Sequence, residues 1–320
     1  MIKAVVVGLG QIGMGYDFNL DSEDFVLTHC RSFQQHPKFR LIGGIDPDQN
    51  RRELFENQYR CRSYTSIDDE CRDLDPDVVA ISNPTELHRQ ALAITLDVFQ
   101  PKCIICEKPI SYELSEAKEM VDLCAARSCR LYVNYMRRSD PGVIAVNKLL
   151  ADGSISCPVK GIAWYSKGLF HNGSHLLNLL QFWLGDVRAF RITQAGRLWN
   201  EIDPEPDVLV TFERGAVYFL AAKEENFSHY TIELLSSNGR LRYERGGDSI
   251  VWRPVITDPT YKGYKSLSPM DELITTEMRR YQWHVVDQIA RDMDGFDANV
   301  CIGSDAMETL QWLDKIRSML

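Results

Sequence analysis

Two segments of this 320-residue chain carry side chains able to move a proton or steady a developing charge. One is Glu107-Lys108-Pro109, directly after the apolar run Cys103–Cys106; the other is His171-Asn172-Gly173-Ser174-His175, directly before an apolar helical stretch. An imidazole changes charge near neutrality and so serves as acid and base. An ammonium beside a reacting oxygen stabilises negative charge as it appears. A third segment, Gly8-Leu9-Gly10-Gln11-Ile12-Gly13, fits GxGxxG at the end of the apolar run Ile2–Val7. In that pattern the first glycine permits a tight turn, the second lets a pyrophosphate approach the backbone, and the third lets helix and strand pack closely. The N–H groups at the helix start then face the phosphates.

Such a turn needs an acid at the end of the second strand to accept ribose hydroxyls. Gly43-Gly44-Ile45-Asp46 supplies Asp46, 33 positions beyond Gly13 where about 20 is usual. The excess lies in Gly15–Thr28, which holds four acids and no base. It predicts an insertion into the first crossover: a solvated surface loop in preference to a lid over the pyrophosphate, with the helix resuming near His29. Asp46 would repel a 2′-phosphate, which favours NAD over NADP, and nearby Arg51 and Arg52 temper that preference.

These residues need elements to hold them. Apolar runs at Ile2–Val7, Phe39–Ile45, Val78–Ser82, Cys103–Cys106 and Leu131–Asn134 alternate with helical patterns at about 28–36, 48–57, 85–99 and 111–127. Short, continuously apolar strands alternating with helices predict an α/β Rossmann domain, a doubly wound parallel sheet, over 1–135. In such a sheet ligands bind beyond the carboxyl ends of the strands. The glycine turn, Asn83-Pro84-Thr85-Glu86-Leu87-His88 and Glu107-Lys108-Pro109 all fall on that edge. From 136 to 320 the pattern predicts an α+β domain. It begins with a helix near 141–151, a strand at Val159–Ser166 and a helix from Ser174 to Leu184. Runs such as Val187–Thr193, Val208–Phe212, Ala216–Ala221, Tyr230–Leu235 and Leu241–Tyr243, split by turn signals, indicate a large, mainly antiparallel sheet. A long loop at 254–269 and helices near 271–293 and 304–319 complete the expectation.

Composition narrows the partners. The net charge is −9 and the pI about 5.4, which argues against nucleic acid. No apolar stretch approaches a membrane span, and the N-terminus reads as a strand and not a signal peptide. Nine scattered cysteines imply no disulfide framework and point to the cytoplasm. The one CxxC, Cys103-Ile104-Ile105-Cys106, sits in an apolar run and reads as core. His171 and His175 have the spacing of two zinc ligands, but Asn172-Gly173 is a poor helix interior and Ser174 looks like a cap, so no metal is expected.

Taken together, the glycine turn, Ile45-Asp46, Asn83-Pro84 with His88, Glu107-Lys108-Pro109 and Asn134-Tyr135-Met136-Arg137 resemble the glucose–fructose oxidoreductase / inositol dehydrogenase family (Gfo/Idh/MocA). The resemblance implies NAD held by Gly8, Gly10, Gln11, Ile12, Gly13, Asp46, Asn83, Pro84, His88, Glu107, Lys108 and Arg137, with the nicotinamide at an interdomain cleft. It implies catalysis by Lys108, His175 and His171 on a secondary alcohol of a sugar, nucleotide sugar or polyol, with 136–320 as the substrate-binding and oligomerisation domain of a homodimer or homotetramer. The family's DxGxH signature departs here, because His171 stands at the aspartate position. Lys108, His171 and His175 would then form a cation-prone cluster suited to an anionic substrate, with Lys167 and Arg138 as possible additions. Two other functions fit the same fold: a non-catalytic dinucleotide sensor, and an NAD-dependent glycoside hydrolase. Trp164, Tyr165 and Trp199 are candidates for stacking on a sugar or base, or for sheet packing.

Overall fold

Strands without a polar face can only lie inside a sheet covered on both sides, and the first stretch of chain is built from them. The computed structural model describes residues 1–320, apart from the side chain of Asp69. In order come β1 (Ile2–Val7), α1 (His29–Gln35), β2 (Phe39–Ile45), α2 (Gln49–Tyr59), β3 (Arg62–Tyr64), β4 (Val78–Ile81), α3 (His88–Val98), β5 (Cys103–Cys106), α4 (Leu114–Ala126) and β6 (Arg130–Val133). All six strands are parallel, in the order β3-β2-β1-β4-β5-β6. Every residue of β4 and β5 is buried, Cys103 and Cys106 included, and burial pushes both thiols up. The strand order reverses between β1 and β4, which is where a doubly wound sheet opens a crevice.

The segment between the glycine turn and α1 corrects one expectation. Tyr16 and its middle, Asn19–Asp24, are exposed, but Asp17, Val26 and Thr28 are buried. Asp17 accepts hydrogen bonds from Leu27 N (2.6 Å), Thr28 N (3.0 Å) and Thr28 Oγ1 (2.9 Å), and Arg31 Nε lies 3.5 Å from it. Thr28 Oγ1 in turn accepts from Arg31 N and caps α1. A buried carboxylate must find donors, and this one finds them by folding its own segment back on itself.

The second unit begins with α5 (Pro141–Ala151), capped by Asp140 with proline at its first turn. There follow β7 (Val159–Tyr165), α6 (Ser174–Leu184), β8 (Val187–Gln194), the short pair β9 (Leu198–Trp199) and β10 (Asp203–Pro204), β11 (Asp207–Phe212), β12 (Gly215–Ala221), β13 (Tyr230–Ser236), β14 (Gly239–Glu244), β15 (Ser249–Thr257), β16 (Lys265–Leu267) and β17 (Glu272–Ile274). Apart from β9 and β10 the strands form one sheet, in the order β16-β15-β14-β13-β7-β12-β11-β8 with β17 also on β15. Every pairing is antiparallel except β7 with β12. Strand β7 alternates strictly: Val159, Gly161, Ala163 and Tyr165 point inward, and Lys160, Ile162 and Trp164 outward. On the inner side Trp183 of α6 donates to Val143 O and meets the Tyr243 ring edge-on. The stretch 254–269 is not one loop, since Val255–Thr257 continues β15 and pairs with Lys265–Leu267. Nor is 271–293 one helix, because Glu272–Ile274 pairs with β15 instead.

Helices α7 (Tyr281–Met293) and α8 (Gly303–Arg317) follow. Compact units are Met1–Ser139 with Arg279–Glu308, and Asp140–Met278 with Thr309–Leu320. A single second domain running from 136 to 320 is therefore not what the contacts give. The reason is apolar: Val285, Val286, Ile289 and Ala290 of α7 join the core cluster that holds Phe33, Phe39 and Tyr132. No helix among the described residues is long and apolar enough to cross a membrane.

Candidate functional site

Strand β1 ends against the backbone of its neighbour. Gly8 has φ +91°, and a Cβ there would lie 2.7 Å from Ser82 C and Asn83 N. Only glycine fits that turn. A Cβ on Gly13 would overlap the Gly8 carbonyl oxygen. At Gly10 the nearest atom to a Cβ is a guanidinium nitrogen of Arg51, 3.8 Å away, so that glycine preserves open space. The space is a cavity of about 660 Å³ whose walls include Gly8, Gly10, Asp46, Arg51, Asn83 and Pro84. The turn beyond it differs from expectation. Gln11–Gly15 makes a single π-helical turn, with Gly15 N donating to Gly10 O (3.0 Å), and the α-helix begins only at His29. Two glycines in five residues and the excursion to the buried Asp17 divert the chain before an α-helix can propagate.

Asp46 keeps its place despite the longer spacing. Its buried carboxylate accepts Leu9 N at Oδ2 (2.7 Å) and Asp48 N at Oδ1 (2.9 Å), with the Arg51 guanidinium 3.5 Å from Oδ2. In the same wall Asn83 Oδ1 is buried and meets no hydrogen-bond donor of the protein. An open face at Gly10, a fixed carboxylate and an acceptor of this kind match what a dinucleotide presents: a pyrophosphate, ribose hydroxyls and an amide.

The remaining expected cofactor residues stand apart from that lining, among the described residues. Gln11, Ile12 and Gly13 belong to the π turn. His88 is buried behind the wall, its Nε2 3.0 Å from Asn83 O and its Nδ1 3.2 Å from Ile110 O. Burial holds its imidazole below the ordinary value, against the pull of those carbonyls and of Glu107. Glu107 follows β5, and its Oε1 meets His29 Nε2 (2.9 Å) and Asn134 Nδ2 (2.6 Å). Burial pushes this carboxyl up, but the bonds from His29 and Asn134 and the charge of Lys108 outweigh it, so the group sits below the usual glutamate range. Lys108 comes next, joined to Pro109 by a cis peptide. Arg137 lies on a 3₁₀ turn, Met136–Ser139, and Arg138 beside it pairs with Asp305 (2.7 Å). No residue of 15–28 lines the cavity among the described residues.

In the second unit, His171 lies inside a π-helical turn, Gly168–Gly173, that runs straight into α6. Asn172-Gly173 is thus helical after all, and Ser174 does not cap: its hydroxyl donates to His171 O (3.1 Å). His175 is buried on α6 with its ring edge-on to Tyr230, whereas His171 is exposed with its ring centre 5.4 Å from that of Trp199. Tyr165 is buried and donates to Pro206 O, Trp164 is on the outer sheet face, and Lys167 pairs with Glu224 at 2.9 Å. Two acids escaped sequence reasoning. Asp203 accepts Phe170 N (3.0 Å) and His171 N (2.9 Å), and Glu205 accepts Gly168 N (3.1 Å) and Arg197 Nε (2.8 Å). They fix the turn that carries His171, from more than 30 positions away and with no local signal.

Residues 2–135 match the model of the Gfo/Idh/MocA proteins, described as an oxidoreductase family with an NAD-binding Rossmann fold. Inositol 2-dehydrogenase of Rhizobium meliloti is 30% identical over 128 residues, which are 40% of this chain and 38% of that enzyme. D-apiose dehydrogenase of Paraburkholderia graminis is 27% identical over 192 residues, 52% of this chain and 50% of that enzyme. The chain thus spans half or less of the length of these curated relatives. The WlbA dehydrogenase of Bordetella pertussis, solved with NADH and UDP-GlcNAcA, superimposes with a TM-score of 0.73 at 15% identity, covering 100% of this chain and 97% of that one. At that identity the likeness is one of fold. Over residues 2–135, the chain is similar to the Gfo/Idh/MocA oxidoreductases.

Proposed function

We propose that this protein is an NAD-dependent oxidoreductase acting on a secondary alcohol of a sugar, nucleotide sugar or polyol. The observation that carries the proposal is the cavity at the ends of β1, β2 and β4, where the Gly8–Gly10 backbone, the fixed Asp46 carboxylate and Asn83 Oδ1 converge. Gly10 leaves room for the pyrophosphate, and Asp46 accepts ribose hydroxyls and repels a 2′-phosphate, favouring NAD over NADP. Bound NAD supplies the hydride acceptor. His175 takes the hydroxyl proton on its imidazole, and Lys108 donates a hydrogen bond to the oxygen as charge develops there. These two roles follow from the family motifs each residue matches. His171, exposed beside Trp199, serves to recognise an anionic group on the substrate, in place of the motif's aspartate. The names of the relatives support sugars and sugar alcohols as the substrate class.

Self-association belongs to the same proposal. The outer face of the large sheet sets Ile162 and Trp164 of β7 beside Tyr218 and Leu220 of β12, with Glu233 and Thr231 of β13 on their other side. Ile162, Trp164 and Tyr218 are each 36–40% exposed, and an apolar patch of this kind, rimmed by polar residues, marks an interface.

The test is the absorbance of reduced nicotinamide after mixing protein with NAD and a panel of inositols, free hexoses, UDP-hexoses and UDP-uronic acids. A rise with one class, lost by orders of magnitude in Lys108→Ala at unchanged NAD affinity, is the expected result. A response confined to uronic acids and weakened by His171→Asn assigns His171 its role. A flat trace with NAD bound overturns the dehydrogenase in favour of a sensor, or of glycoside hydrolysis without net reduction.

A further inference from the structure

Glu107 belongs to a closed ring of four buried or half-buried side chains in the first unit. Its Oε1 meets His29 Nε2 at 2.9 Å and Asn134 Nδ2 at 2.6 Å; Asn134 Nδ2 reaches Gln282 Oε1 at 3.0 Å, and Gln282 Nε2 reaches His29 Nδ1 at 2.9 Å. The direction of every bond follows from the carboxylate, which can only accept. Asn134 must present its NH₂ to Glu107, so Gln282 must present its carbonyl to Asn134. Its NH₂ then points at His29 Nδ1, which accepts, and the imidazole proton is left on Nε2, aimed at Glu107. Turning any one member sets two donors or two acceptors face to face in a buried site.

The ring is anchored from three directions. Asn134 follows β6, Gln282 is in the first turn of α7, and His29 is the first residue of α1. The place of His29 is fixed by the acidic insertion, since Asp17 grips Leu27 and Thr28 immediately before it. Glu107 Oε2 lies 3.4 Å from Lys108 N, and the lysine charge acts on the carboxyl.

We propose that His29 is a positioning residue for Lys108, holding the Glu107 carboxylate in the one orientation that the ring allows. The insertion Gly15–Thr28 serves this purpose, as the scaffold that delivers His29. The proposal rests on the reading of Lys108 as catalytic, and its test separates the two. His29→Leu removes both of the histidine's bonds. His29→Gln keeps a donor for Glu107 and an acceptor for Gln282, so it should restore what leucine loses.

The first readout needs no turnover: the rate at which acetic anhydride labels Lys108 at a fixed, mildly alkaline pH, followed by mass spectrometry. A buried carboxyl deprived of the His29 bond moves toward its protonated form and ceases to stabilise the ammonium. Lys108 should therefore label faster in His29→Leu and at the wild-type rate in His29→Gln. The second readout is turnover. His29→Leu should lower kcat by about tenfold or more with NAD affinity unchanged, and should add nothing in a Lys108→Ala background. Should His29→Leu fail to fold, Gln282→Leu opens the ring from the other side and should shift both readouts in the same direction. Equal Lys108 labelling in the folded variant and wild type overturns the proposal. A labelling shift beside an undiminished kcat in Lys108→Ala supports the positioning and overturns the catalytic reading.

Discussion

Gly10 and Gly13 are the same residue three positions apart, and they answer to different constraints. Gly10 has φ −75°, open to any residue, and its Cβ position faces the cavity; a Cβ on Gly13 would strike the Gly8 carbonyl. Gly10→Ala is thus expected to leave thermal unfolding within about 2 °C of wild type and to weaken NAD binding by about tenfold or more. Gly13→Ala should lower stability by about 2 kcal/mol. Calorimetric titration and a melting curve on each variant check both, and a Gly10→Ala protein with native NAD affinity would remove the pyrophosphate from this turn. Such constraints are legible in sequence because they are local: a glycine, a strand end and an acid at the next strand end. The ring around Glu107 was not legible. His29 stands 78 positions from Glu107 and Gln282 a further 175 beyond it, and nothing near either residue signals the partner. Asp203 under His171 is the same case, a long-range bond with no pattern in the chain.

At the scale of elements, the parallel strands and α1–α4 announce themselves by apolar runs and caps, since both sheet faces are covered. Strand β3 was missed because three residues, Arg62–Tyr64, carry no period and none of them is buried. Pro254 and Gly263 suggest a loop where β15 and β16 pair, and the helix expected over 271–293 begins only after the edge strand Glu272–Ile274. The insertion read as solvent-exposed because four acids usually are; one of them, Asp17, instead organises the segment. Asp17→Ala would leave Arg31 without its buried carboxylate and three donors unmet. It should cost about 3 kcal/mol of unfolding free energy, measured by denaturant titration. A loss below about 0.5 kcal/mol would return the segment to the status of a surface loop.

For the whole molecule, the proposed self-association through the outer sheet face sets the prediction. Light scattering should report a dimer or larger, and Trp164→Arg combined with Tyr218→Glu should shift it toward monomer with the fold retained by circular dichroism. A wild-type monomer at all concentrations would refute the assignment of this face. A net charge of −9 opposes non-specific association through such a surface.

Helix α7 gives Val285, Val286, Ile289 and Ala290 to a core whose other members, apart from Val300, precede Ser139. A ribosome releases the chain from its N-terminus at roughly 5–20 residues per second. All of Asp140–Met278 must therefore emerge before the first unit can seal. During that interval Phe33, Phe39 and Tyr132 lack the apolar cover that α7 later provides, and His29 lacks Gln282. The first unit, though made first, is completed late, so a chain truncated near Ser139 is expected to leave this core uncovered, a consequence that limited proteolysis of residues 1–139 checks.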